Sequence, residues 1–75
     1  MTIGEITERL RLNLVPDRDG YKAWCSDLPD CRVWGKTPTE AMSRLREAVE
    51  EYLERLRRRD PERFEELERV LRDPG

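Results

Sequence analysis

The sequence predicts an α+β domain: a three-stranded antiparallel meander, one long helix packed on one face in β-β-β-α order, and a short C-terminal helix. Three observations carry that reading. Apolar and polar residues alternate with period two on either side of two turn signals, Asp19-Gly20 and Leu28-Pro29-Asp30. A capping sequence at Thr37 opens a run of apolar residues spaced three and four apart. A second, thinner run follows Asp60-Pro61.

Residues 1–7 carry little pattern and read as a frayed terminus. From Glu8 the alternation places Leu10, Leu12 and Leu14 on one face of a strand, with Arg9, Arg11 and Asn13 on the other. Pro16 ends that strand because it has no N–H for a ladder. Asp19-Gly20 then closes a hairpin, with Gly20 free to take positive φ. Tyr21 to Cys25 is the second strand and Cys31 to Gly35 the third. In the turn between them Pro29 presets φ and Asp30 tolerates the left-handed region. If that loop has an odd residue count, Ala23, Cys25, Cys31 and Val33 join the leucine face, and Lys22, Trp24, Arg32, Trp34 and Lys36 the arginine face. An even count would split the two tryptophans between the faces.

Thr37 caps a helix over residues 38–59, with Pro38 at its first position and Glu40 completing a capping box. Its stripe comprises Ala41, Met42, Leu45, Ala48, Val49, Tyr52, Leu53 and Leu56, and Arg57-Arg58-Arg59 sits where the helix dipole favours positive charge. Glu50, Glu51 and Glu54 alternate with Arg46, Arg55 and Arg58 on the solvated side. The helix after Asp60, over residues 61–72, presents Phe64, Leu67 and Leu71 and is too short to stand alone in water.

The chain has 75 residues, so it forms one domain over 1–75, with a core over 8–59 and a helical tail over 60–75. A core this small leaves a monomer marginally stable. Charged residues make up 43% of the chain, but the net charge is −2, so no bulk basic character draws it to nucleic acid. The thirteen arginines and two lysines must act locally if they bind anything. No apolar run is long enough to span a bilayer and no secretory signal is present, which makes the cytoplasm the expected compartment, with Cys25 and Cys31 reduced.

Candidate chemistry is sparse. The chain has no His, so no hydroxyl has a histidine base, and Thr37 is accounted for as a cap. Asp17 and Asp19 lie at one hairpin tip and Asp27 and Asp30 at the other, which reads as turn chemistry and not as a metal cluster. Cys25 and Cys31 read as small core hydrophobes. Expected, then, are no catalytic residues, no metal site and no cofactor: a protein that is not an enzyme. The feature that calls for explanation is a sheet face holding Trp24 and Trp34 among Arg9, Arg11, Lys22, Arg32 and Lys36. Aromatics ringed by arginine are the composition of a protein-binding hot spot, in which Phe64 of the last helix can take part. Two other readings are that this helix covers both indoles through Phe64 and Leu67, or, ranked below, that the face stacks nucleic-acid bases. The uncovered face and open sheet edges lead to the expectation of a homodimer or higher homo-oligomer, joined through the sheet edge or the tryptophan face.

The motif Gly20-Tyr21, Ala23, Asp27-Leu28-Pro29, Cys31, Gly35, Thr37-Pro38, Glu40-Ala41, Leu45, Glu47-Ala48 and Tyr52-Leu53 resembles the HicB family of antitoxins, over residues 20–56. The resemblance implies a partial ribonuclease H-like sheet-and-helix fold without the ribonuclease catalytic residues. It also implies a type II toxin–antitoxin partner, a small HicA-like RNA-cleaving toxin that the protein binds and neutralises. The alternative is an orphan homo-oligomeric interaction domain of the same family with no toxin. The sequence departs from the family pattern at Ser26 and Asp30, where Pro and Gly are usual, and at Lys36, where Asp is usual. It has no strand after the long helix, and its tail is one helix, too small for a DNA-binding motif, so autonomous DNA binding is not expected.

Overall fold

The computed structural model describes residues 2–72; Met1 and positions 73–75 of the expected tail lie outside the described residues. The elements run α1 (Ile3–Arg9), β1 (Leu12–Asp17), β2 (Gly20–Cys25), β3 (Arg32–Gly35), α2 (Pro38–Arg59) and α3 (Pro61–Arg72). The sheet is an antiparallel meander in the order β1-β2-β3. The α+β architecture is as the sequence predicts, with one helix added at the front.

That helix corrects the reading of the N-terminus. Thr2 accepts a hydrogen bond from the Glu5 amide through its Oγ1 (3.2 Å), and the Glu5 carboxylate reaches back to the Thr2 amide. This capping box starts α1 where the sequence reading had a frayed end. Ile6 is fully buried, Ile3 packs beside it, and the buried Thr7 donates its hydroxyl to the Ile3 carbonyl at 2.9 Å. The first strand therefore begins at Leu12, four residues later than expected, and Arg9 is helical. Leu10 still points into the core, because the C-cap residue has extended backbone (φ −77°, ψ 155°) and continues the alternation of Leu12 and Leu14 backwards.

Pro16 does not end β1; the strand continues to Asp17, with Pro16 opposite Tyr21. The loop is the two residues Arg18 and Asp19, so Asp17 and Gly20 form the hydrogen-bonded pair that closes it. Odd-numbered residues of β1 thus turn their amides and carbonyls toward β2, and the Ser26 amide donating to the Arg11 carbonyl (3.0 Å) keeps the same phase. Pro16 points its missing N–H at the open edge, where nothing is lost. The positive φ of the hairpin falls on Arg18 (57°), not on Gly20. In the second connection the Cys31 amide donates to the Leu28 carbonyl at 2.9 Å, closing a β-turn with Pro29 and Asp30 at its centre. Asp30 does not take the left-handed region, so the turn needs no glycine there.

The register Lys22↔Trp34 and Trp24↔Arg32 puts both tryptophans on one face and Ala23, Cys25 and Val33 on the other, as the odd loop count predicts. The helix α2 begins at Thr37, whose Oγ1 accepts from the Glu40 amide at 3.0 Å. It lies across β3 and β2 and only grazes β1. Ala41, Leu45, Val49 and Leu53 form its buried ridge. Gly35 lets the two elements meet: a Cβ there would stand 2.5 Å from the Ala41 amide nitrogen. Asp60 alone joins α2 to α3; its amide donates to the Leu56 carbonyl (2.7 Å) and its carboxylate accepts from the Arg63 amide (3.3 Å). The turn folds α3 back on α2 and α1, so Phe64 enters the main core beside Ile6 and Leu53. Arg9 ties the far end by donating to the Leu71 carbonyl at 3.2 Å.

Candidate interaction face

With all three helices on one side of the sheet, the other side is left without a covering element among the described residues. Strand alternation arranges it in rows: Asn13, Trp24 and Arg32 across one end, Val15, Lys22 and Trp34 across the middle. Val15 is 39% exposed and Trp34 37%, while Trp24 is half-buried.

Each indole is held in place. Trp34 lies over Gly20 and donates its Nε1–H to the Asp17 carbonyl at 3.2 Å. A Cβ on residue 20 would stand 2.5 Å from the indole Cζ2 and collide with the Gly35 carbonyl. Gly20 is thus required for the space it leaves under an aromatic ring, not for positive φ. Lys22 places its Nζ 5.6 Å from the centroid of the Trp24 ring, within cation–π range. Beside them Asn13 donates its Nδ2–H to Ser26 Oγ at 2.8 Å. The result is a surface of pre-oriented aromatics with cationic neighbours, able to bury apolar area and meet carboxylates without first ordering its side chains.

The residues proposed from sequence divide accordingly. Trp24, Trp34, Lys22 and Arg32 come together on this face, and Arg11, two positions before Asn13, continues its phase beyond the end of β1. Arg9 does not join them, because it belongs to α1 and holds α3. Phe64 is 6% exposed in the core, and α3 does not cover the indoles. Asn13, Val15 and Gly20 belong to the face and were not singled out. The signal for them lay in the two-residue hairpin count, which fixes the cross-strand neighbours of Lys22 and Trp24.

The Asp27 carboxylate accepts from the Arg11 amide at 3.0 Å, fastening the 26–31 loop to the start of β1. Among the described residues no three of Cys, Asp and Glu gather as a metal site would require. Cys25 and Cys31 are free thiols on the core side, joined through backbone by the Cys25 amide donating to the Cys31 carbonyl (3.1 Å). Burial pushes both thiols above their ordinary pKa, with the Asp27 charge adding to the rise at Cys25 and Cys25 and Asp30 adding to it at Cys31. No described helix is long and apolar enough to cross a membrane. Compared with known proteins, the chain matches no family model, no curated protein and no solved structure.

Proposed function

We propose that this chain is a non-catalytic protein-binding module of the HicB antitoxin kind, which docks a small RNA-cleaving toxin on the open face of its sheet. The observation that carries the reading is that face: Trp24 and Trp34 are exposed in part, fixed by Lys22 and by the Asp17 carbonyl, and flanked by Arg32. Aromatic anchors beside arginine supply most of the affinity in protein interfaces, and rings already held in place lose little freedom on binding. The HicB resemblance of residues 20–56 supports the partner class.

The test is a purified HicA-like toxin, taken from a short gene beside this one, mixed with the protein in an RNA-cleavage assay. The protein should suppress cleavage, and Trp34→Glu should abolish suppression while leaving the fold intact by circular dichroism, because a charge would be buried in place of an anchor. Full suppression by Trp34→Glu and by Arg32→Glu would remove the face from the mechanism. Retardation of an oligonucleotide that weakens steeply with salt would instead assign the face to nucleic acid.

A further inference from the structure

The two edges of the sheet are not alike. On β3 the Cys25–Cys31 bond sets the phase, so Arg32 and Trp34 turn their backbone groups outward. Arg44 already occupies one of these groups: its Nη1 donates to the Trp34 carbonyl at 3.2 Å while its Nη2 pairs with Glu40 at 2.9 Å. On β1 the outward groups are those of Leu12, Leu14 and Pro16, and no described side chain reaches them. Because α2 sits over β2 and β3, Leu14 on the helix side of β1 is 36% exposed although its neighbours Ala23 and Cys25 are fully buried. An unpaired strand with an uncovered leucine is a template for another strand.

We propose that the occupant of this edge is a second copy of the chain, its β1 pairing antiparallel with this one about a two-fold axis at Leu14. The strand is self-complementary in that register. Leu14 faces Leu14 of the second copy, and Leu12 faces Pro16, all on the helix side. On the other side Asn13 faces Val15 and Arg11 faces Asp17, so two opposite-charge pairs close the ends. The outward phase agrees: each Leu14 amide meets the other copy's Leu14 carbonyl, and each Leu12 amide meets a Pro16 carbonyl, so the missing proline N–H falls where it removes only one bond per copy. Sliding the register by one pair either way loses this match. In one direction Arg11 meets Val15 and Asp17 meets Arg9, which is helical; in the other Asn13 meets Asp17 and Leu12 meets Arg18 in the turn. The axis stands perpendicular to the sheet, so both α2 helices lie on one side of a six-stranded sheet and both tryptophan faces on the other. The dimer leaves Trp24, Trp34, Lys22 and Arg32 uncovered on both copies, with Arg11, Asn13 and Val15 engaged at the seam.

Sedimentation of the full chain across a wide concentration range should show a dimer. Arg11→Asp should weaken it on the order of tenfold by setting like charges opposite each other at both ends, and Arg11→Asp with Asp17→Arg should recover it. Leu14→Cys should form a disulfide-linked dimer under mild oxidation, since residues facing each other in a hydrogen-bonded pair have Cα atoms about 5.5 Å apart. Val15→Cys should not, because its twin lies diagonally, beyond the roughly 7 Å a disulfide can bridge. The unsubstituted chain, its thiols buried, serves as control. A monomer at every concentration, linkage through Trp34→Cys in place of Leu14→Cys, or a charge swap that fails to recover the dimer overturns the proposal. None of these outcomes touches the toxin-binding assay.

Discussion

Gly20 and Trp34 act as one unit. The glycine supplies a floor without a side chain, and the indole covers it and bonds the Asp17 carbonyl. Gly20→Ala should therefore lift the ring, cost about 1–3 kcal/mol as overpacking typically does, and shift tryptophan fluorescence to the red. An unchanged spectrum and melt would mean that the ring does not rest there. The two thiols give a second expectation at this scale. Their folded pKa values are raised, so the folded chain keeps these protons at pH values where the unfolded chain has released them. The stability tied to the neutral thiols is complete below the ordinary thiol pKa and declines as pH rises through the raised folded values. Melting temperature should fall on that alkaline side, and fall less steeply in Cys25→Ala/Cys31→Ala. Equal slopes would show that the thiols do not contribute.

The helices carry their own start and stop signals. Thr37 satisfies the Glu40 amide, and Pro38 occupies the first turn where no intrahelical donor is needed. Thr37→Ala should cost about 1 kcal/mol in a urea titration, with an unchanged slope. A variant as stable as its parent would place the helix start elsewhere. Asp60 ends α2 and caps α3 at the same residue, and that double use sends α3 back along the core side of the sheet instead of toward the tryptophans.

At the scale of the whole molecule, α2 packs on one face of a three-stranded sheet, and α1 and α3 pack on α2 and on each other. The core is drawn from α1, β2, the 26–31 loop, α2 and α3 together. In a chain of 75 residues no element is dispensable to such a core. Phe64→Ala should cost about 3–5 kcal/mol, enough to leave much of a small domain unfolded at room temperature. Circular dichroism with and without a stabilising osmolyte would measure it. A variant that melts like the parent would mean that α3 is not part of the cooperative unit.

The strands of the second hairpin, the 38–59 and 61–72 helices and the shared face of Trp24 and Trp34 were legible from residue order alone. Each is set by information within a few positions: period-two alternation, an odd loop, a threonine cap, a proline at the first helical turn. The capping box at Thr2 and Glu5 was equally local, but the alternation of Leu10, Leu12 and Leu14 masked it, because an extended C-cap carries strand phase into the end of a helix. What only the tertiary structure decided is which surfaces meet. A thin apolar stripe such as Phe64, Leu67 and Leu71 specifies that α3 must dock, and not where. Hydrophobic burial is non-directional, and the choice between the two sheet faces falls to the Asp60 turn, the groove between α1 and α2, and Arg9 on the Leu71 carbonyl.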